Sequence, residues 1–126
     1  MMQERIFKID RELLKRYANA SGDQNPIHQD ETFAKSVGLP DVIAHGMLTM
    51  ALAGKYLSAI AGSEKVISFS AKFIKPVVVP ADTDVNLTIS GKVVEIVEGQ
   101  AKIELTAICN EIKAVSYTHL TLPTNR

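Results

Sequence analysis

The chain of 126 residues has few of the features that mark specialised classes of protein. It contains one cysteine, Cys109, and no tryptophan. A single cysteine excludes an internal disulfide and is typical of a reducing compartment, so we expect a cytoplasmic protein. The 14 basic residues balance the 14 acidic ones. This balance provides no electrostatic basis for binding nucleic acid or an anionic membrane, and we expect neither as a partner.

Several sequence signatures are also missing. The chain has no zinc-like spacing of cysteine and histidine, no glycine-rich phosphate loop and no dinucleotide fingerprint. Its N-terminus lacks the apolar stretch of a signal peptide. The apolar segment from Val42 to Ala61 is interrupted by His45, Lys55 and small polar residues, which favours a buried helix over a membrane span. The strand-like pattern around Cys109 indicates a core position rather than a nucleophile.

Helical periodicity dominates the first half of the chain. Asp is a favoured helix N-cap and Gly a favoured C-terminal stop, so these residues set the expected boundaries. The third helix is apolar on nearly all its faces, which predicts that it is surrounded on most sides. The predicted elements are a strand over 6–9 and helices bounded by Asp10 and Gly22, by Asp30 and Gly38, and by Gly46 and Gly62.

The second half alternates apolar and polar residues, which is the period of strands with one buried face. Three such strands are predicted, over residues 67–73, 85–90 and 101–107. Gly91 predicts a kink or bulge, and Glu98-Gly99 predicts a hairpin turn. One long apolar helix followed by antiparallel strands predicts an α+β fold in which the sheet wraps around that helix.

The last eleven residues differ in character from the rest. Ser-Tyr-Thr-His-Leu-Thr-Leu-Pro-Thr-Asn-Arg resembles translated sequencing-adaptor read-through, which belongs outside any functional argument. We therefore predict a single domain over residues 1–115 and a non-native tail over 116–126 in place of the native last strand. His119 receives no role for this reason, although the alternation of the tail is compatible with a strand.

The segment Asp23-Gln24-Asn25-Pro26-Ile27-His28 places an acid and an imidazole five positions apart. Five residues of strand would separate the two side chains by about 16–17 Å, and five residues of helix by about 7.5 Å of rise. Neither arrangement allows both groups to contact one water. Asn25 is suited to an Asx-turn and Pro26 fixes its own φ. A turn there predicts that Asp23 and His28 converge.

A second histidine, His45, precedes Gly46 at the predicted start of the long helix. The first amides of a helix have no internal partner, and the helix dipole favours negative charge there. Gly lets a ligand carbonyl approach its N–H closely, as an enolate oxygen requires. Structural roles also fit: Gly46 at a helix-packing position, His45 satisfied by the backbone, and Asn25 as a turn residue. The alternative for Asn25 is that its amide orients Asp23 or His28.

These residues resemble the MaoC-like hydratases and dehydratases, which include (R)-specific enoyl-CoA hydratases and (3R)-hydroxyacyl-ACP dehydratases. The similarity is densest between Tyr17 and Leu52, and the later strands agree in pattern up to about Val115. The matching motifs are Tyr17-Ala18-x-x-Ser21-Gly22-Asp23-x-Asn25-Pro26-Ile27-His28-x-Asp30, Phe33-Ala34 and Ile43-Ala44-His45-Gly46-Met47-Leu48.

The resemblance implies a hotdog fold that forms a homodimer or a heterodimer. It implies Asp23 and His28 as the catalytic dyad and Gly46 as the residue whose N–H polarises the thioester carbonyl, with Asn25 and His45 beside the substrate. Some members carry a hydroxyl residue one to two turns beyond this glycine. Here the stretch reads Ala53-Gly54, so no role is transferred.

The implied reaction is reversible syn hydration of a trans-2-enoyl thioester, carried by CoA or acyl carrier protein, to the (R)-3-hydroxyacyl thioester. We expect a hydro-lyase of fatty acid metabolism that needs no metal and no redox cofactor. Asp23 is favoured as the base and His28 as the proton donor. Two alternatives stay open: a thioesterase on the same architecture, and the catalytic subunit of a heteromeric acyl-ACP dehydratase.

Overall fold

The computed structural model describes residues 3–62, 65–110 and 112–123. Helices occupy the first half of the chain and strands the second, as the sequence predicts. The elements are β1 (Arg5–Ile9), α1 (Arg11–Ser21), a single 3-10 turn (Pro26–His28), α2 (Glu31–Ser36), α3 (Gly46–Ala61), β2 (Lys72–Phe73), β3 (Val85–Val97), β4 (Gln100–Cys109) and β5 (Ile112–Pro123).

The helix boundaries follow the capping residues. The Asp10 carboxylate accepts a hydrogen bond from the Leu13 N–H at 2.8 Å, and Gly22 ends α1 in the left-handed region at φ 84°. Asp30 caps α2 in the same way as Asp10 caps α1. The long helix α3 ends before Gly62. These local signals confirm all three predicted helices, although α2 stops shortly before the predicted Gly38.

The strands form one antiparallel sheet in the order β1-β3-β4-β5-β2. Glu98 and Gly99 join β3 to β4 with positive φ values of 53° and 79°, which confirms the predicted hairpin turn. The predicted bulge at Gly91 is wrong, because Gly91 pairs in register with Leu105 and the register shifts only after Val93. Beyond Gly91, β3 leaves the core and becomes exposed, so the irregularity falls where packing no longer fixes the register.

The predicted strand over residues 67–73 is also wrong for most of its length. The strand formed in this stretch is β2, Lys72–Phe73, which pairs with β5, and Ser68 forms a single bridge. The alternation does not correspond to burial, because Ile67 is 56% exposed and Phe73 is 51% exposed. Phe69 packs against Gly54 of α3, where a Cβ would come within 3.4 Å of its ring.

The sheet packs against α3 through one apolar core. The helix supplies Leu48, Ala53, Tyr56 and Leu57, and the strands supply residues such as Leu87, Ile89, Ile103, Leu105 and Ala107. Burying each large aliphatic side chain contributes roughly 1.5–3 kcal/mol. An antiparallel sheet curved around one long helix is the hotdog fold, as predicted. Cys109 lies in this core, where burial raises the pKa of its thiol.

The long helix is less enclosed than its composition predicts. Met47 and Ile60 are 60% and 53% exposed in the single chain. No helix in the described part of the chain is long and apolar enough to cross a membrane.

The last strand continues into the predicted tail. β5 pairs with β4 through Pro123, which lies opposite Gln100. The alternation noted in the tail is therefore matched by strand pairing of its backbone. The boundary at residue 115 and the foreign origin of residues 116–126 stay predictions.

Candidate active site

Two successive Asx-turns bend the chain between Asp23 and His28. Asp23 Oδ1 accepts a hydrogen bond from the Asn25 N–H at 3.2 Å, and Asn25 Oδ1 accepts one from the Ile27 N–H at 3.2 Å. Pro26 opens the 3-10 turn that follows. The result is a distance of 4.0 Å between Asp23 Oδ2 and His28 Nε2. The predicted convergence of the two side chains is therefore observed.

The hydrogen bond at the far side of the His28 ring fixes its tautomer. His28 Nδ1 lies 2.8 Å from the carbonyl oxygen of Ile43. A carbonyl only accepts, so Nδ1 carries the proton and the lone pair of the neutral ring lies on Nε2. His28 is buried, whereas the side chain of Asp23 is 51% exposed. Both atoms that face each other, Asp23 Oδ2 and His28 Nε2, are therefore acceptors.

A separation of 4.0 Å between these acceptors is too long for a direct hydrogen bond and suits one bridging water. For a water about 2.8 Å from both atoms, the angle between the two hydrogen bonds, measured at the water oxygen, would be roughly 90°. Such a water donates one hydrogen to Asp23 and one to His28. Its oxygen lone pairs then point away from the pair, which is the orientation a nucleophilic water requires.

Asn25 and His45 lie behind this pair. The side chain of Asn25 caps the Ile27 N–H, and it is the main-chain N–H of Asn25 that donates to Asp23. His45 is 1% exposed and stacks on His28, with ring centroids 3.9 Å apart. Neither residue is among the described residues that line the adjacent cleft. The expected contact of Asn25 and His45 with substrate stays a prediction.

The cleft next to His28 has a volume of about 310 Å³. Residues 42–44 pair with residues 77–79, and this pairing sets the first turn of α3 beside the cleft. Gly46 is exposed there. Its N–H donates no hydrogen bond to any of the residues that the structure describes. The walls are mainly apolar, formed by Ile43, Ala44, Phe73, Ile74, Pro76, Val77 and Val115, with one cation at Lys75.

Thr49 is a cleft residue that the sequence interpretation missed. It is 2% exposed, and its hydroxyl donates to the Gly46 carbonyl oxygen at 2.7 Å. The family resemblance directs attention to a hydroxyl residue one to two turns beyond Gly46, and the sequence interpretation considered only Ala53 and Gly54. The position of Thr49, three residues after Gly46, was the available signal, since a Thr in the first turn of a helix can bond back to the main chain.

Asp23, His28 and His45 are close enough together to be candidate metal ligands, because their ligand atoms all lie within 4.8 Å of one another. An imidazole nitrogen binds zinc at about 2.0–2.1 Å, with the ion close to the ring plane. The two rings here are stacked, with an interplanar angle of 24° and centroids 3.9 Å apart. One ion cannot lie near both planes at that bond length. The arrangement of these three residues therefore does not fit a metal.

Comparison with known proteins identifies the family. The family model described as the MaoC like domain matches residues 2–111. The chain belongs to the MaoC-like domain family. One relative of this MaoC-like domain is 3-hydroxyacyl-thioester dehydratase X of Mycobacterium tuberculosis, which is 40% identical over 76 residues. That alignment covers 60% of this chain and 26% of the relative.

Solved structures agree with this assignment. A structure titled MaoC-like dehydratase superposes with a TM-score of 0.93 at 31% identity, over 98% of this chain and 39% of that one. A structure titled (R)-hydratase from A. caviae involved in PHA biosynthesis superposes with a TM-score of 0.81 at 22% identity, over 98% of this chain and 96% of that one. The second likeness shows the shared fold.

Proposed function

We propose that this MaoC-like domain is a hydro-lyase that reversibly hydrates trans-2-enoyl thioesters of CoA or acyl carrier protein to (R)-3-hydroxyacyl thioesters. The observation that carries the proposal is the 4.0 Å separation of Asp23 Oδ2 and His28 Nε2, beside a cleft that His28 and Gly46 line. The names of the dehydratase and hydratase relatives support it. The chain spans 26% of the first curated relative and 39% of the first structural one.

The thioester carbonyl would accept a hydrogen bond from the Gly46 N–H at the start of α3. Attack of water at C3 moves electron density through C2 onto this oxygen, which becomes an enolate. A helix N-terminus favours that negative charge, and one such donor contributes roughly 2.7–4 kcal/mol to the transition state. The activation of the substrate therefore uses main-chain groups that α3 leaves unpaired.

Asp23 and His28 would manage the protons. The bridging water loses a proton to one of them as its oxygen bonds to C3, and a proton is returned to C2 as the enolate collapses. Since the neutral His28 ring carries its proton on Nδ1, Nε2 can donate only after it has accepted a proton. The expected roles, with Asp23 as base and His28 as proton donor, therefore require His28 to carry a proton on Nε2 when it donates. Positioned acid–base groups contribute roughly 10²–10⁴-fold to the rate.

Water and the returned proton both come from the side of the substrate that faces the pair. The addition is therefore syn, and one molecule of water is consumed without any leaving group. The apolar walls of the cleft would hold the acyl chain. Exposed apolar side chains on β3, including Ile96 at 61% exposure, support assembly as a homodimer or with a second hotdog subunit.

The test is an assay of crotonyl-CoA hydration, in which the reaction is monitored as the loss of the enoyl-thioester absorbance. We expect Asp23→Asn and His28→Ala each to lower the rate by at least roughly 10²-fold, because Asn lacks the basic carboxylate and Ala lacks the imidazole that accept the water proton. The control is Asp82→Asn, which makes the same chemical change in an exposed loop residue. Asp82 has a φ of 59°, a backbone conformation that Asn tolerates, so this variant should retain full activity.

Near-normal turnover by either dyad variant would refute the proposed roles. Release of free thiol from acyl-CoA without hydration would indicate a thioesterase instead.

A further inference from the structure

His45 contacts both members of the dyad from behind. Its Nε2 lies 3.2 Å from the main-chain carbonyl oxygen of Asp23, to which it must donate. Its ring stacks on the ring of His28 with centroids 3.9 Å apart and an interplanar angle of 24°. On its other side, Tyr17 meets it edge-on at 4.8 Å. One buried side chain therefore fixes the position of two groups that come from opposite ends of the turn.

This arrangement is not the one that stability alone would favour. His45 Nδ1 is buried without a hydrogen-bond partner in the part of the chain that the structure describes. A buried polar atom left unpaired is unfavourable, and such atoms are uncommon in folded proteins. An aromatic ring without nitrogen would fill the same space without this penalty, so the imidazole needs another explanation.

The proton on Nε2 supplies that explanation. Phenylalanine at this position would preserve the stack on His28 but would release the Asp23 carbonyl. Glutamine would reach the carbonyl with an N–H group but would leave the face of His28 unsupported. Histidine provides a flat ring and a donor at its far end in a side chain smaller than that of Tyr or Trp.

We propose that His45 is a positioning residue for the dyad, with its Nε2–H holding the main chain of Asp23 and its ring face supporting His28. The inference rests on the proposed hydration. It assigns His45 a role that acts through Asp23 and His28, which it contacts.

The charge state of His45 agrees with this role. The groups that face it are Asp23 and His28 from the turn and Tyr17 from α1. Burial lowers the pKa of His45, and the neighbouring His28 lowers it further, against the opposing effect of the Asp23 carbonyl. A neutral ring presents a face that attracts a cation. It can therefore support His28 when Nε2 takes up the water proton, whereas a charged ring at 3.9 Å would repel it.

Three substitutions separate the two contacts. His45→Phe keeps the ring and loses the donor, His45→Gln keeps a donor and loses the ring, and His45→Leu loses both. With crotonyl-CoA we expect kcat to fall roughly tenfold for Phe and for Gln, and roughly a hundredfold for Leu, while KM stays within about twofold of the parent. We also expect the melting temperature of the Phe variant to equal or exceed that of the parent.

In a His28→Ala background, His45→Gln, which loses only the ring face, should have less than about twofold further effect, because the imidazole that this face supports is gone. The proposal is overturned if the Leu variant keeps parental kcat, or if KM rises while kcat holds. It is also overturned if kcat falls only in step with the melting temperature. An inactive parental protein would instead refute the proposed function, so the two failures are distinguishable.

Discussion

Replacing Gly46 by proline removes one N–H group and adds the carbons of the pyrrolidine ring. Gly46 is the first residue of α3, where an N–H has no partner within the helix and proline is well tolerated. His45 has φ −59° and ψ 132°, a conformation that a residue before proline readily adopts. The substitution should therefore leave the helix intact while deleting the donor assigned to the thioester oxygen.

The magnitude follows from separating two effects. Any Cβ at this position comes within 3.2 Å of Phe73 Cε1, so alanine and proline both crowd Phe73, and the proline Cδ also takes the place of the amide hydrogen. Phe73 is 51% exposed and can shift, so we expect Gly46→Ala to lower kcat by about tenfold or less. Loss of an oxyanion donor lowers kcat by roughly 10²–10³-fold. Gly46→Pro should therefore be slower than Gly46→Ala by that further factor.

The assay is steady-state hydration of crotonyl-CoA by the parent and both variants, with circular dichroism to confirm equal helix content. Gly46→Ala is the matched control, because it adds the Cβ and keeps the N–H. Equal kcat values for the two variants would show that this N–H does not stabilise the enolate. The assignment of the α3 N-terminus as the oxyanion site would then fail.

Two further predictions concern stability. Arg11 bonds the Val79 carbonyl oxygen at 2.6 Å and the Asp41 carboxylate at 2.8 Å, so Arg11→Met should lower the free energy of unfolding by about 1.5–3 kcal/mol. Denaturant titration of Arg11→Met and of a control variant, Lys35→Met, checks this. The control removes an exposed ion pair within α2, and equal losses of unfolding free energy in the two variants would contradict the prediction. Separately, His45 takes up a proton less readily folded than unfolded, so stability should fall as the pH drops below the unfolded value of about 6.5. The melting temperature should therefore drop less between pH 7.5 and pH 5 for His45→Phe than for the parent, and equal drops would contradict the shift.

Local signals were sufficient for the helices and for the bend at the site. Asp10, Gly22 and Asp30 act on their own neighbours within a few residues, so their effect is readable from the sequence. The same holds for the Asx-turn of Asn25, which bends the chain between Asp23 and His28. The placement of the His28 ring also depends on Ile43 and His45.

The features that were not predictable depend on contacts between distant residues. Phe69, in the predicted strand, packs against Gly54 on α3. The tautomer of His28 depends on the Ile43 carbonyl, and the position of His45 depends on its stack with His28, which joins the start of α3 to the turn. Alternation alone cannot reveal which of two apolar surfaces a segment will meet.

The central claim is that one water, shared by Asp23 Oδ2 and His28 Nε2, adds to the substrate from a single face. Hydration of crotonyl-CoA in D₂O, followed by NMR of the 2-deuterio-3-hydroxybutyryl product, measures this directly through the coupling between the C2 and C3 protons. We predict the single (3R) diastereomer that arises from syn addition. An anti product, or a mixture of diastereomers formed under initial-rate conditions, would contradict the claim.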